Sequence, residues 1–181
     1  MNDRRSGYRS AGLRRRAVRR NRATDEEQRY FDMFDPATRL PRPALLRDRL
    51  GMALSRAERE RRLVGVMFVH VDVPAEYEPG QGGSLDVLPL IAGRLRSVVR
   101  PDDTVSRVAE HDFAIVCNGL SAQVDLDVIA ERLSTVIALR VYFDDERTPM
   151  STTIRTHLAT PRDSIADLLE ILTHDEWSWT E

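Results

Sequence analysis

The chain has 181 residues, 41% of them hydrophobic, with 27 basic against 29 acidic side chains and a formal net charge of −2. That suits one domain with one core and a modest extension. No apolar run reaches the roughly 18 residues that span a bilayer, and no signal-peptide apolar stretch follows the start. The one cysteine, Cys117, excludes an internal disulfide framework and fits a reducing, cytoplasmic setting. Its place in a hydrophobic strand predicts a buried, inert thiol.

Charge is unevenly spread. Residues 1–22 hold nine arginines and one aspartate, a balance of +8, so residues 23–181 carry −10. Every one of the 27 basic residues is arginine, a bias that gives the choice of Arg over Lys little mechanistic weight. Residues 1–24 repel themselves and bury little, which predicts a disordered basic arm. Anionic lipid, nucleic-acid phosphates and an acidic protein all fit as partners of that arm. Tyr8 is its one aromatic, so contact with nucleic acid would be non-specific. Thr24-Asp25-Glu26-Glu27 has the form of a helix start, and a short linker helix is expected over 25–34.

Pro36 and Pro41 make Asp35-Pro36-Ala37-Thr38-Arg39-Leu40-Pro41 a turn. The spacing of Leu45, Leu46, Leu50, Met52, Ala53 and Leu54 predicts an amphipathic helix over 42–61. Leu63 to Val73, LVGVMFVHVDV, is too continuously apolar for an exposed strand and reads as a central buried one. Residues 74–84, with their Pro and Gly, form a loop. A helix over 86–99 follows, with Pro89 tolerated in its first turn. Thr104 to Cys117 holds two apolar, β-prone runs around the polar tip Ala109-Glu110-His111-Asp112, a hairpin pattern. Asp125 to Ala138 reads as a further helix. Arg140–Phe143 and Met150–Leu158 read as strands around the acidic turn Asp144-Asp145-Glu146. Ser164 or Asp163 caps a last helix through Leu172. His157 and His174 read as surface or packing residues, and Trp177 and Trp179 as a cover for the core edge or a partner contact. Strands and helices alternating in this way give an α+β domain over 35–178, with a central mixed, mostly antiparallel sheet flanked by helices.

Arg107, Val108, Phe113, Ala114 and Ile115 frame the tip as in the signature hairpin of the GGDEF family, the diguanylate cyclases that condense two GTP into cyclic di-GMP. The 35–41 segment resembles the family's opening turn, Asp-x-Leu-Thr-Gly-Leu-Pro, with Arg39 in place of a glycine and Arg42 where Asn is usual. The resemblance implies a nucleotide-cyclase-like fold over essentially the whole domain. It also implies where chemistry would sit. The tip reads Ala109, Glu110, His111, Asp112, Phe113 instead of Gly-Gly-Asp/Glu-Glu-Phe. The family's metal-binding Asp at the end of the first strand is His70 here, with Asp72 retained two residues on. Leu85 falls on the guanine-reading Asp position, Asp86 being one residue off, and the phosphate-contacting Lys that follows the last helix in family members has no counterpart.

Hard divalent cations prefer oxygen ligands, and two-metal phosphoryl transfer needs carboxylates to hold them. These substitutions therefore predict a degenerate, catalytically inactive GGDEF-like domain with no resident cofactor. His70, His111 and Asp72 are candidate ligands for a softer metal such as zinc, against the reading that they are drifted residues beside a disused cleft.

One motif matches the family intact. Arg100-Pro101-Asp102-Asp103, with Asp103 six residues ahead of Ala109, resembles the Arg-x-x-Asp inhibitory site that binds cyclic di-GMP. Arg can donate paired hydrogen bonds to guanine or phosphate, and Asp can accept from guanine N–H groups. The plain alternative is a Pro-Asp-Asp turn between a helix and a strand. The expectation is a cyclic di-GMP receptor acting on a protein partner whose identity the sequence does not give, with a nucleotide-independent interaction scaffold as the alternative. A homodimer, bridged by nucleotide or built on the 24–34 helix, stays open.

Overall fold

The computed structural model describes residues 33–73, 87–138, 141–143, 146–148 and 150–173. The expected basic arm, nearly all of the 25–34 helix, the 74–84 loop, Leu85, Asp86, His174, Trp177 and Trp179 lie outside them.

In chain order the elements are α1 (Pro43–Glu60), β1 (Leu63–Asp72), α2 (Val87–Val98), β2 (Thr104–Arg107) and β3 (Asp112–Leu120), then α3 (Gln123–Ala138), β4 (Val141–Phe143), β5 (Glu146–Thr148), β6 (Ser151–Ala159) and α4 (Ile165–Thr173). Four strands form one sheet in the order β2-β3-β1-β6, and β4 and β5 form a separate two-stranded ribbon. Where a mixed, mostly antiparallel sheet was expected, every pairing among the described strands is antiparallel.

The apolar run of β1 has the consequence its composition requires. Val64 and Val66 point to one face of the sheet, where they meet Leu46, Leu50 and Leu54 of α1 and Leu168 of α4. Met67, Val69 and Val71 point to the other, against Ile91 and Leu95 of α2 and Leu126, Leu133 and Ile137 of α3. Successive side chains alternate sides, so a strand buried on both faces must be apolar throughout. Each fully buried Leu or Ile in these two layers contributes about 1.5–3 kcal/mol. Gly65 is the position where α3 comes closest: a Cβ there would lie 2.5 Å from Leu126 Cδ1 and 2.7 Å from Leu120 Cδ1. Cys117 is buried beside it, and burial pushes its thiol pKa well above the ordinary value, as expected for an inert cysteine.

Two boundaries differ from the sequence reading, and at a third the structure selects one of the two caps it offered. Glu146 does not sit in an acidic turn between two strands of the main sheet. It begins β5, which pairs with β4 through Phe143↔Glu146 and Val141↔Thr148, and the main-sheet strand starts only at Ser151. Pro149, which has no N–H to donate, separates the two in sequence. α3 begins at Gln123, two residues before Asp125, because the Asp125 carboxylate reaches back to accept from the N–H groups of Ser121 (2.8 Å) and Ala122 (3.2 Å). At α4 the cap is Ser164, whose Oγ accepts from Ala166 N. Asp163 instead accepts from Thr160 N in the turn before.

Candidate functional site

Two polar turns flank the edge strand β2: the 100–103 turn before it and the 109–112 tip after it. The tip closes because Val108 N and Ala109 N both donate to the Asp112 carbonyl, at 2.9 and 3.3 Å. Arg107 fixes its outer side. The guanidinium donates to the Ala109 and Glu110 carbonyls and forms a two-pronged pair with Asp35, Nη1 lying 3.2 and 3.1 Å from the two carboxylate oxygens. The side chains of Arg107 and Asp35 are only 15% and 13% exposed. Asp35 also accepts from Thr38 N and Thr38 Oγ1. Burial alone would raise its pKa, but the hydrogen bonds from Thr38 and the Arg107 charge outweigh it, and the net direction is downward.

The same opening turn shows what the two departures from the family pattern do. Arg39 sits at φ +56°, a left-handed conformation that suits glycine, and its N–H donates to the Asp35 carbonyl at 2.7 Å. Arg42 occupies the cap position of α1, and its side chain makes no capping hydrogen bond. Pro43 at the first helical position supplies the start.

On the inner side of the tip, register brings His70 directly opposite Asp112. Nδ1 of His70 lies 2.6 Å from Asp112 Oδ1, and Nε2 lies 3.4 Å from Asp72 Oδ1. Asp72 also accepts from Ser151 Oγ. The His111 carbonyl accepts from Val71 N at 3.1 Å, tying the tip to the end of β1. Thus His70, Asp72 and Asp112 come together as an imidazole between two carboxylates. Among the described residues no three His, Cys, Asp or Glu side chains form a set that could hold a metal ion.

The 100–103 turn is built differently. Asp103 N donates back to the Arg100 carbonyl, and the Asp103 carboxylate accepts from Arg100 N and from Asn118 N of β3, each at 2.9 Å. Asp102 makes an exposed 3.7 Å contact with Arg56. The Arg100 guanidinium is exposed and has no hydrogen-bond or ion-pair partner among the described residues. Beside the turn lies a cavity of about 290 Å³ lined by Arg49, Arg96, Arg100 and Asp103 over an apolar base of Pro41, Val99, Pro101 and Val105. A larger groove of about 970 Å³ runs along α1 on the other side, past Arg47, Arg56, Arg59, Asp102 and Asn118. Arg49, Pro101 and Asp103 border both.

Residues 32–174 match the family model described as diguanylate cyclase, GGDEF domain. The chain belongs to the GGDEF family. Among curated GGDEF relatives from Pseudomonas aeruginosa, the bifunctional diguanylate cyclase/cyclic di-GMP phosphodiesterase MucR is 33% identical over 103 residues, 56% of this chain and 15% of that protein. The diguanylate cyclase TpbB is 29% identical over 143 residues, 78% of this chain and 32% of that protein. The chain therefore spans a third or less of the length of these relatives. The isolated GGDEF domain of TpbB superposes with a TM-score of 0.65 at 28% identity, covering 76% of this chain and 82% of that domain. The coiled-coil and GGDEF portion of DgcB from Caulobacter crescentus, solved with c-di-GMP, gives 0.74 at 17% identity over 92% of this chain and 90% of that one, a likeness of fold. No helix among the described residues is long and apolar enough to cross a membrane.

In this GGDEF domain the residues singled out from sequence fall into two places. Ala109, Glu110, His111, Asp112 and Phe113 form the tip and the start of β3, beside His70 and Asp72; Phe113 itself is fully buried in the core. Arg100 and Asp103 form the separate turn at the far end of β2. Sequence reading missed Arg49 and Arg96 of the cavity. They are 47 positions apart on different helices, and no local pattern joins them.

Proposed function

We propose that this GGDEF domain is catalytically inactive and works as a cyclic di-GMP receptor through Arg100 and Asp103. The observation that carries the reading is the exposed Arg100 guanidinium, with no hydrogen bond or ion pair among the described residues, at a cavity that also presents Asp103. Arg100 is thus available to donate to guanine or phosphate, while Asp103 keeps unused carboxylate lone pairs after accepting its two backbone N–H bonds. Loss of catalysis is supported by the other end of β2. At the positions where the family uses acids for metal stand His70 and His111, and His70 is already engaged by Asp72 and Asp112. Imidazole is a poor ligand for magnesium, so these two positions lack the oxygen ligands that phosphoryl transfer demands.

A second reading, a nucleotide-independent interaction scaffold, draws on the same turn. Both oxygens of Asp103 already accept backbone N–H groups, which is what a purely structural turn would need.

Calorimetric titration with cyclic di-GMP, beside an Arg100→Ala variant, separates the two. Low-micromolar binding lost in the variant supports the receptor; absence of heat supports the scaffold. Incubation with GTP and Mg²⁺ should yield no cyclic di-GMP, and turnover would overturn the inactive assignment.

A further inference from the structure

The 290 Å³ cavity beside the 100–103 turn brings three guanidinium-bearing side chains together from three places in the chain: Arg49 on α1, Arg96 on α2, and Arg100 after it. All three residues are exposed. Arg49, like the Arg100 guanidinium, has no hydrogen-bond or ion-pair partner among the described residues. Arg96 makes one bond, from Nη2 to the Arg39 carbonyl at 2.8 Å, which leaves most of its donors unused and fixes its position. One carboxylate, Asp103, shares the lining, so the cavity carries an excess of two positive charges.

Like charges that outnumber the carboxylates beside them repel one another at neutral pH, and an anion bound among them offsets that repulsion. The volume lies at the lower edge of the roughly 300–1,000 Å³ of small-molecule sites, too small to enclose a whole dinucleotide. It suits one phosphate-bearing portion of a ligand. Planar guanidiniums match phosphate oxygens two at a time.

We propose that this cavity is a phosphate subsite in which Arg49 and Arg96 hold the phosphoryl group of a nucleotide engaged by Arg100. The inference deepens the receptor reading and rests on its use of Arg100. It adds two binding residues, from other helices, that the Arg-x-x-Asp motif does not contain. The phosphoryl group can come from a phosphodiester, as in cyclic di-GMP, or from a terminal phosphate, as in guanosine 5′-monophosphate, and both offer the same oxygens to the clamp.

The test is calorimetric titration of the full chain with cyclic di-GMP, guanosine 5′-monophosphate and guanosine, at two salt concentrations. Wild type, Arg49→Met, Arg96→Met and Arg100→Ala are compared. The expected result is salt-sensitive binding of at least one phosphate-bearing probe, weakened about tenfold or more by Arg49→Met and by Arg96→Met, with guanosine not binding. Cyclic di-GMP binding that is lost in Arg100→Ala but unchanged in both Met variants would overturn the subsite and leave the receptor reading intact. Binding of the monophosphate but not of cyclic di-GMP, dependent on Arg49 and Arg96, would overturn the receptor reading and uphold the subsite. Failure of every probe would overturn both. Arg96 supports the Arg39 carbonyl, so Arg49→Met, which removes no hydrogen bond or ion pair among the described residues, decides the matter if Arg96→Met unfolds.

Discussion

The two turns at the ends of β2 each place an arginine beside an aspartate, and they use it in opposite ways. At the tip, Arg107 is largely buried, paired with Asp35 and bonded to two carbonyls, so its donors are consumed inside the fold. At the 100–103 turn it is the aspartate that is engaged, by two backbone N–H groups, while the Arg100 guanidinium stands in solvent. A charged side chain with its partners inside the protein is a structural element. One whose aspartate has been taken by the backbone is left for something else. The contrast explains why resemblance of sequence around both turns translates into different expectations for them.

The sharpest way to break the comparison is Arg107→Ala. It leaves Asp35 as a poorly solvated carboxylate and frees the tip carbonyls, and should cost about 3–4 kcal/mol. Urea denaturation would measure it, and a loss below about 1 kcal/mol would place Arg107 in the same class as Arg100.

Acid should weaken the same contact from the other side. The pKa of Asp35 is lowered in the folded chain, so its contribution is fully present above the unfolded value of 3.8 and is lost as pH falls through the folded value. The urea midpoint should therefore drop below about pH 4, and drop less in Asp35→Asn, which begins from lower stability.

At the other turn, Asp103→Ala removes acceptors from Arg100 N and Asn118 N and should cost about 1–2 kcal/mol. Arg100→Ala should change stability by less than about 0.5 kcal/mol. A melting series on the two variants reads this difference directly, and equal losses would erase the distinction between a structural aspartate and an available arginine.

One substitution should produce a gain. Arg39→Gly relieves a left-handed residue in the turn that positions Asp35, and should stabilise by about 1 kcal/mol in thermal unfolding.

Much of the fold was legible because its signals are local. LVGVMFVHVDV announced a strand covered on both faces, and the 104–117 pattern announced a hairpin. The β4–β5 ribbon was not legible, since three-residue strands give no periodicity to count. The candidate sites divide along the same line. Arg100 and Asp103 stand three positions apart and could be seen as a unit. The Asp35–Arg107 pair spans 72 positions, and the His70–Asp112 contact spans 42 and follows from strand register. The sequence points to histidines at positions where acids were expected; it does not say that each ring nitrogen of His70 would meet a carboxylate.

β2 itself is only four residues long, roughly 13 Å at about 3.3 Å per residue, and it is held on one side by β3 and at its end by the Pro41 carbonyl, which accepts from Ser106 Oγ and Arg107 N. It works as a strut of fixed length between the two turns. A strut this short has no slack: inserting one residue would turn every side chain after the insertion to the opposite face, throwing the Arg107 anchor out of register with Asp35. The spacing between the 100–103 turn and the signature tip is therefore set by the core, and the chemistry at either end can change without altering the distance between them.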